Sequence, residues 1–526
     1  MKRKIIVSIA LIAIFIMGYV PINVYARGTT SGTASDLGFF GGITQGVALP
    51  LTTQRLLLET GTAARRNNNQ SFIYKEMIWL AGPPVEFEGS MTRSISGQIG
   101  APGSNVGTAS VTYQVRSNAA TAEGVNIFRN ITFDINWNRT GSFIVETYNV
   151  RLGNWREEIT VDGVTYTLIP AQSHFNISIL RDATPGVTYY SGDISKRLVY
   201  TANGSGDTIV HEVIGQISGF TSAWSSTETH RLNGTVFAPD WAMEYQIVPS
   251  VSVSKELQYA VSEPTLISFS GNYREVTTNQ SGLNFVIHTL PNIFYGTPTT
   301  GGTYISVPNT FEQLTPPNLS FLRGHWAYGD IRRLFAMGIL DGSPEHFIPN
   351  QGVSRGEFMQ MLARAVKLPL DPALTGQQPA RGRNAVTTNN IFPDVWRERP
   401  DFPYLMAMHE AGVAIGRGGG HFQPDEILRR EEAYALALRM LGLSNLGLVE
   451  TPITPFADDN QVGDWARRDL YAAARIGLIL PDENGMIHPR RLMYKAEAAA
   501  LVNRLIEYLR IDLQRDYTEN IINFMN

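Results

Sequence analysis

The sequence predicts a two-part protein, an antiparallel all-β segment followed by an all-α one. Three observations carry this: a composition shift near residue 316, period-two apolar alternation before it, and a helical repeat after it. Residues 27–315 hold 39 charged residues in 289, whereas 316–526 hold 48 in 211. The first stretch is rich in Thr, Ser, Gly, Asn, Ile and Val, the second in Ala, Leu, Arg and Glu. At 526 residues the chain exceeds the size at which one core stops growing, so at least two domains are expected. The join is placed at Thr315-Pro316-Pro317, because consecutive prolines disfavour regular structure on both sides.

In the front segment, Ile131, Phe133, Ile135 and Trp137 alternate with Thr132, Asp134 and Asn136, the pattern of a half-buried strand. Phe175, Ile177 and Ile179 repeat it. Asp162-Gly163 between Val161 and Val164 is a two-residue hairpin signal, since a type I′ turn needs positive φ at both positions. Further strands are expected at 208–217, 244–253, 266–270 and 283–288, with one short helix at 49–58. Short strands with frequent turns imply antiparallel sheets, closed as a sandwich or curled as a barrel.

The N-terminus carries an export signal. Lys2, Arg3 and Lys4 precede an apolar run from Ile5 to Met17, and Val24-Tyr25-Ala26 offers a cleavage site, so 1–26 reads as a signal peptide. No later apolar stretch is long enough to span a bilayer as a helix. The formal net charge of -4 gives no footprint for nucleic acid. With no cysteine, an exported chain has neither disulfides nor thiolate metal sites, and its domains rest on ordinary cores.

From about Asn318 the chain repeats itself. Phe347-Ile348-Pro349, Phe422-Gln423-Pro424 and Ile487-His488-Pro489 mark three copies. Six residues after each proline stands a cation, Arg355, Arg430 or Lys495; two residues later a glutamate, Glu357, Glu432 or Glu497. Arg364, Arg439 and Arg504 follow seven residues further on. Phe358, Met361, Leu362, Ala365 and Val366 make one apolar stripe at helical spacing, repeated in both later copies. An earlier helix in each copy ends at Gly338, Gly412 or Gly477, where a left-handed cap suits glycine. Each unit is therefore helix, Gly-capped loop, Phe/Ile-x-Pro, helix.

Ser354 and Glu357 have the form of a capping box, a structural role for both. The cation differs. It sits in the first turn, where the macrodipole is positive, so it needs an internal carboxylate or an anionic ligand to compensate it.

These units resemble the S-layer homology domain, whose repeats read approximately F-x-D…W-A…G…G…F-x-P…T-R-A-E. Phe392-Pro393-Asp394 and Phe456-Ala457-Asp458 match the opening element, but Leu319-Ser320-Phe321 lacks the aspartate. Trp326-Ala327 and Trp465-Ala466 match the Trp-Ala element, whereas Pro400 occupies that tryptophan position in the middle copy. Gly342 and Gly416 match the second loop glycine, which Pro481 replaces in the third. The resemblance implies repeats at 318–368, 392–442 and 456–510, with a surface excursion at 369–391 and a tail at 511–526. It also implies a pseudo-threefold helical bundle whose grooves bind secondary cell wall polysaccharide, often pyruvylated, without catalysis or cofactor. Arg355, Arg430, Lys495, Trp326, Trp465, Asp394, Asp458, Gly342 and Gly416 are the binding residues it implies. A pyruvyl ketal presents a carboxylate, which arginine holds with two parallel hydrogen bonds and lysine only as a point charge. Trp326 and Trp465 read equally as stacking platforms or as core.

The front segment has no nucleophile elbow, zinc-protease motif or phosphate loop. His174, His211, His230 and His288 are scattered singly and are expected to face solvent. Glu86, Glu88, Asp134, Glu146 and Asp240 are candidates for a carboxylate pair only if the fold makes two converge. Trp155, Trp224 and Trp241 read as binding or core residues alike. The expectation is an exported, non-catalytic surface protein, wall-anchored by its C-terminal region, with other surface proteins as further partners. A wall-anchored enzyme acting on polysaccharide is the alternative.

Overall fold

The computed structural model describes residues 40–44, 70–97, 105–117, 124–260, 272–289, 299–370, 374, 392–446 and 452–517. The signal peptide, the helix at 49–58, the strand at 266–270 and nearly all of the excursion at 369–391 fall outside them.

The front segment is one antiparallel sheet. Its strands are β1 (Gly42–Thr44), β2 (Gln70–Ile78), β3 (Val85–Gly97), β4 (Val106–Ser117), β5 (Val125–Thr140), β6 (Phe143–Val150), β7 (Arg156–Val161) and β8 (Val164–Leu168). There follow β9 (His174–Ala183), β10 (Val187–Ala202), β11 (Thr208–Ser222), β12 (Ser225–Phe237), β13 (Ala242–Ala260), β14 (Asn272–Thr289), β15 (Thr299–Ser306) and β16 (Thr310–Leu314). Neighbours in the sheet follow chain order, with the β7–β8 hairpin and the β6–β9 pair both bridging β5 to β10. The two ends of the sheet meet through side chains: Ser281 of β14 donates to the Thr44 carbonyl of β1 at 2.7 Å, and Thr303 of β15 to Glu86 of β3 at 2.8 Å.

Alternation sets the inner face. Ile131, Phe133, Ile135, Phe175, Ile177 and Ile179 are all buried in one apolar cluster, while His174, Asn176 and Ser178 point out. At the β7–β8 turn Asp162 and Gly163 take φ of 49° and 84°, as the hairpin signal requires. The strands run longer than expected, to 19 residues in β13, where Ser250, Ser252 and Ser254 continue the strand on the face opposite buried Val253.

The inner face also buries charge. Arg129 bridges Glu76 at 3.1 Å and Glu157 at 2.6 Å, and the hydroxyls of Tyr74 and Tyr200 donate to the same two carboxylates. Lys196 donates to the Phe40 carbonyl at 3.0 Å, and burial followed by Arg129 pushes its pKa down to about 8. Glu146 is locked by Arg181 at 2.6 Å. Two histidines depart from expectation. His211 and His230 are buried, hydrogen-bonded to Tyr245 and Glu228, and burial holds both imidazoles below their ordinary pKa. His174 and His288 are exposed.

The rear segment contains α1 (Tyr328–Ala336), α2 (Arg355–Ala365), α3 (Phe402–Glu410), α4 (Arg430–Arg439), α5 (Arg467–Arg475), α6 (Lys495–Glu507) and α7 (Leu513–Asp516). Gly338, Gly412 and Gly477 end the first helices at φ of 66°, 76° and 71°, the predicted left-handed caps. The second helix of each pair packs on the first helix of the next: α2 on α3, α4 on α5, and α6 back on α1. At the centre three buried residues close a ring of backbone hydrogen bonds. Val353 donates to Met493 at 2.9 Å, Met493 to Leu428 at 2.8 Å, and Leu428 to Val353 at 3.1 Å.

The prolines at 316–317 break the chain but not the packing, and the described residues form one compact unit. Val187, Tyr189, Phe220, Ala223 and Trp224 of the sheet belong to the same apolar cluster as the helices. Trp224 donates its indole N–H to the Ala365 carbonyl at 2.7 Å, and Tyr189 its hydroxyl to Leu441 at 3.3 Å. Tyr517, past α7, stacks on Tyr189 with ring centroids 6.2 Å apart. Trp155 is likewise core.

Because Trp224 fills the seam, Trp224→Ala should destabilise the protein by about 3–5 kcal/mol. Urea melts followed in both the strand and helix bands of circular dichroism should shift together. A weakened strand signal with an unmoved helix signal would contradict the shared core.

Candidate functional site: the helix-start grooves

The cations at the starts of α2, α4 and α6 each meet the loop of the next helix pair. The first two amides of α2, on Arg355 and Gly356, donate to the carbonyls of Glu426 and Pro424 at 2.9 and 2.8 Å. Those of α4, on Arg430 and Glu431, reach Arg491 and Pro489; those of α6, on Lys495 and Ala496, reach Gln351 and Pro349. The cap amides of Ser354, Arg429 and Tyr494 are taken by Glu357, Glu432 and Glu497 at 2.9 to 3.1 Å. The reciprocal bond, Glu357 N–H to the Ser354 hydroxyl at 3.2 Å, completes the box in the first copy. Arginine at 429 has no acceptor to offer. With these amides engaged, an anion at a groove has to be held by side chains.

The three grooves treat their cation differently. Lys495 pairs with Glu357 at 2.9 Å, beside a cavity of about 70 Å³ lined by Asp341, Phe347, Gln360 and Met361. Arg355 has no such partner among the described residues. Its guanidinium donates to the Ile415 carbonyl at 3.0 Å and lies 4.8 Å from the Phe422 ring centroid, while its buried Nε makes no hydrogen bond. The carboxylates on that side, Glu432 and Glu426, are held by Arg417. Burial first, and Arg417 second, push the Arg355 pKa below the ordinary arginine range. Among the described residues Arg430 donates its guanidinium to the Tyr434 hydroxyl alone, at 2.7 Å, while Arg491 takes the nearby Glu497.

The remaining predicted residues divide into two roles. Asp394 accepts from the amides of Phe422 and Gln423 at 2.9 and 2.7 Å; Asp458 accepts from Ile487 and His488 at 3.1 and 2.7 Å. For Asp394 burial works to raise the pKa, but the two amides outweigh it and hold the carboxylate below its usual range. Both aspartates therefore support the loop, and they hold Gln423 and His488 at φ of 59° and 51°, where a residue with a side chain is strained. The first copy has Phe321 in place of the aspartate, and there the β-branched Ile348 avoids positive φ. Gly342 turns its loop at φ 87°, and Gly416 lies so close to Phe392 that a Cβ would come within 3.2 Å of the ring. These glycines shape loops.

Trp326 and Trp465 are 65 % and 53 % exposed, so they lie at the surface and not in the core. The middle copy also presents an aromatic, Trp396, 54 % exposed. Sequence reasoning missed it because it sought tryptophan only at the helix start; its signal was the run Phe392-Pro393-Asp394-Val395-Trp396. Where Pro400 stands, Arg399 instead forks between Asp401 and Asp425.

Residues 322–359 and 392–433 match the family model of the S-layer homology domain. These segments are S-layer homology repeats. An amylopullulanase of Thermoanaerobacterium thermosulfurigenes is 27% identical over 40% of this chain and 10% of its own length. Exoglucanase XynX of Acetivibrio thermocellus is 25% identical over 35% of this chain and 16% of its own. S-layer protein EA1 of Bacillus anthracis is 23% identical over 34% of this chain and 19% of its own. The chain thus spans between a tenth and a fifth of the length of these relatives. The S-layer homology segments mark it as a cell-surface, wall-anchoring protein. No helix among the described residues is long and apolar enough to cross a membrane.

Asp458→Asn should cost about 1–3 kcal/mol, since one of two buried amides then faces a donor. Chemical denaturation reads this directly; an unmoved midpoint would mean that the loop does not depend on the carboxylate.

Proposed function

We propose that residues 318–368, 392–442 and 456–510 are three S-layer homology repeats arranged about a pseudo-threefold axis, gripping an anionic, pyruvylated secondary wall polysaccharide. In this reading the sheet is a rolled, barrel-like domain displayed at the surface without catalysis. The observation that carries the anchoring site is Arg355, a buried guanidinium with a free Nε and no carboxylate partner among the described residues. A carboxylate on the polymer would supply the missing charge and hydrogen bonds. Exposed Trp396 and Trp465 offer faces for sugar rings. The grooves rank by how far each cation is already compensated: Arg355 first, Arg430 second, Lys495 last.

The non-catalytic reading of the sheet rests on where its carboxylates lie. Glu86 and Glu88 pair with Lys75, Asp134 with Arg151 and Glu146 with Arg181, while Asp240 stands exposed. The pair that does converge, Glu76 and Glu157, is occupied by Arg129.

Since sheet and helices share a core, the test uses the whole exported chain in co-sedimentation with purified walls. Arg355→Ala should weaken binding at least roughly tenfold, about 1.4 kcal/mol, and Arg430→Ala somewhat less. Lys495→Ala should leave it within about twofold, because Glu357 already satisfies the lysine. Chemical depyruvylation should release the wild-type protein. Intact binding by the Arg355/Arg430 double variant would refute the site assignment.

A further inference from the structure

The outer face of the sheet carries a second recess, chemically unlike the helix-start grooves. Strand register sets Thr227 opposite Ser252, Ser252 opposite Gln280, and Gln280 opposite Ser306. Opposed residues of antiparallel strands share a face, so these four side chains form one row across β12 to β15. Two positions along, Ser250 faces Gly282 and Gly282 faces Tyr304. The alternate positions Ser281, Leu283 and Ile305 are buried, the last two in the sheet's core, which puts both rows on the outside. The sheet forms the floor and Gln514 of α7 contributes to the wall of a recess of about 510 Å³. That volume lies within the roughly 300–1,000 Å³ of small-ligand sites.

The lining is distinctive in what it offers. Among the described residues its polar groups are hydroxyls and amides, with no Asp, Glu, Lys or Arg. Gly282 leaves open floor, for a Cβ there would find its nearest neighbour, the Thr303 carbonyl, 4.0 Å away. Beside that opening Tyr304 is 72 % exposed. A charged ligand finds no counter-charge here, and an apolar one would strand the hydroxyls and amides without partners. A neutral polyol matches both the donors and the acceptors, and an aromatic beside a gap without side chain suits the C–H face of a sugar ring.

We propose that this recess is a binding site for a neutral oligosaccharide, separate from the wall-anchoring grooves. The protein then contacts glycans at two places, one recognised by charge and the other by hydroxyl pattern. Sharing a core with the anchor, the recess is held in a fixed orientation to it.

The test titrates the full exported chain with chitotetraose and maltotetraose, using tetragalacturonate as the charged control, by saturation-transfer NMR and calorimetry. At least one neutral tetrasaccharide should bind with a Kd between about 10 μM and 1 mM. Tyr304→Ala, a change at an exposed position, should weaken it at least roughly tenfold, and Gly282→Val should abolish it by filling the floor. Arg355→Ala should leave it unchanged, which separates this site from the anchor. The proposal is overturned if neither neutral sugar binds up to about 10 mM, if both recess variants bind like wild type, or if tetragalacturonate binds the recess more tightly.

Discussion

The rear half of the protein turns on a ring of three backbone hydrogen bonds. Val353, Met493 and Leu428 each donate to the next, and each stands two residues before the helix that carries a groove cation. A helix start leaves orphan amides that have to be satisfied. Here each pair supplies the carbonyls for the helix of another, so no pair is complete alone. That closure places Arg355, Arg430 and Lys495 at equivalent seams between pairs. It also engages the backbone donors that would otherwise attract an anion.

The second constraint is the seam between sheet and helices. Trp224 carries its ring into the helical core and gives its indole N–H to the end of α2. Around it Lys367 and Lys255 share Glu275, and Arg510 donates to the Lys255 carbonyl at 3.1 Å. A buried seam with paired charges at its margin differs from the polar, mobile contact usual between linked domains. Helices and sheet therefore share one packed body, which fixes the orientation of the sheet to the helix starts.

Inside the sheet, the Glu76–Arg129–Glu157 cluster shows how buried charge is tolerated. Two carboxylates flank one guanidinium and each also accepts a tyrosine hydroxyl, while Glu76 Oε1 and Arg129 Nε stay buried without a hydrogen bond. Such clusters contribute little net stability compared with apolar packing, but removing one member would strand the others. Lys196 lies in the same region, so positive and negative charges balance there without solvent.

Much of this was legible in the sequence because its causes are local. Alternation along 131–137 fixed which side chains face the core, Asp162-Gly163 fixed a hairpin, and Gly338, Gly412 and Gly477 fixed where helices end. Three copies of one spacing located the helix starts. What the sequence could not decide were matters of pairing between distant residues. Lys495 and Glu357 are 138 positions apart, and nothing in either copy says that this cation is compensated while Arg355 is not. His211 and His230 sit in alternating strands that read as half-exposed, yet the sheet's inner face takes them in. Trp224 looked free to be surface or core until the helices packed over it. Local backbone geometry is written in short stretches of sequence; the neutralisation of charge and the covering of a face depend on which stretches meet.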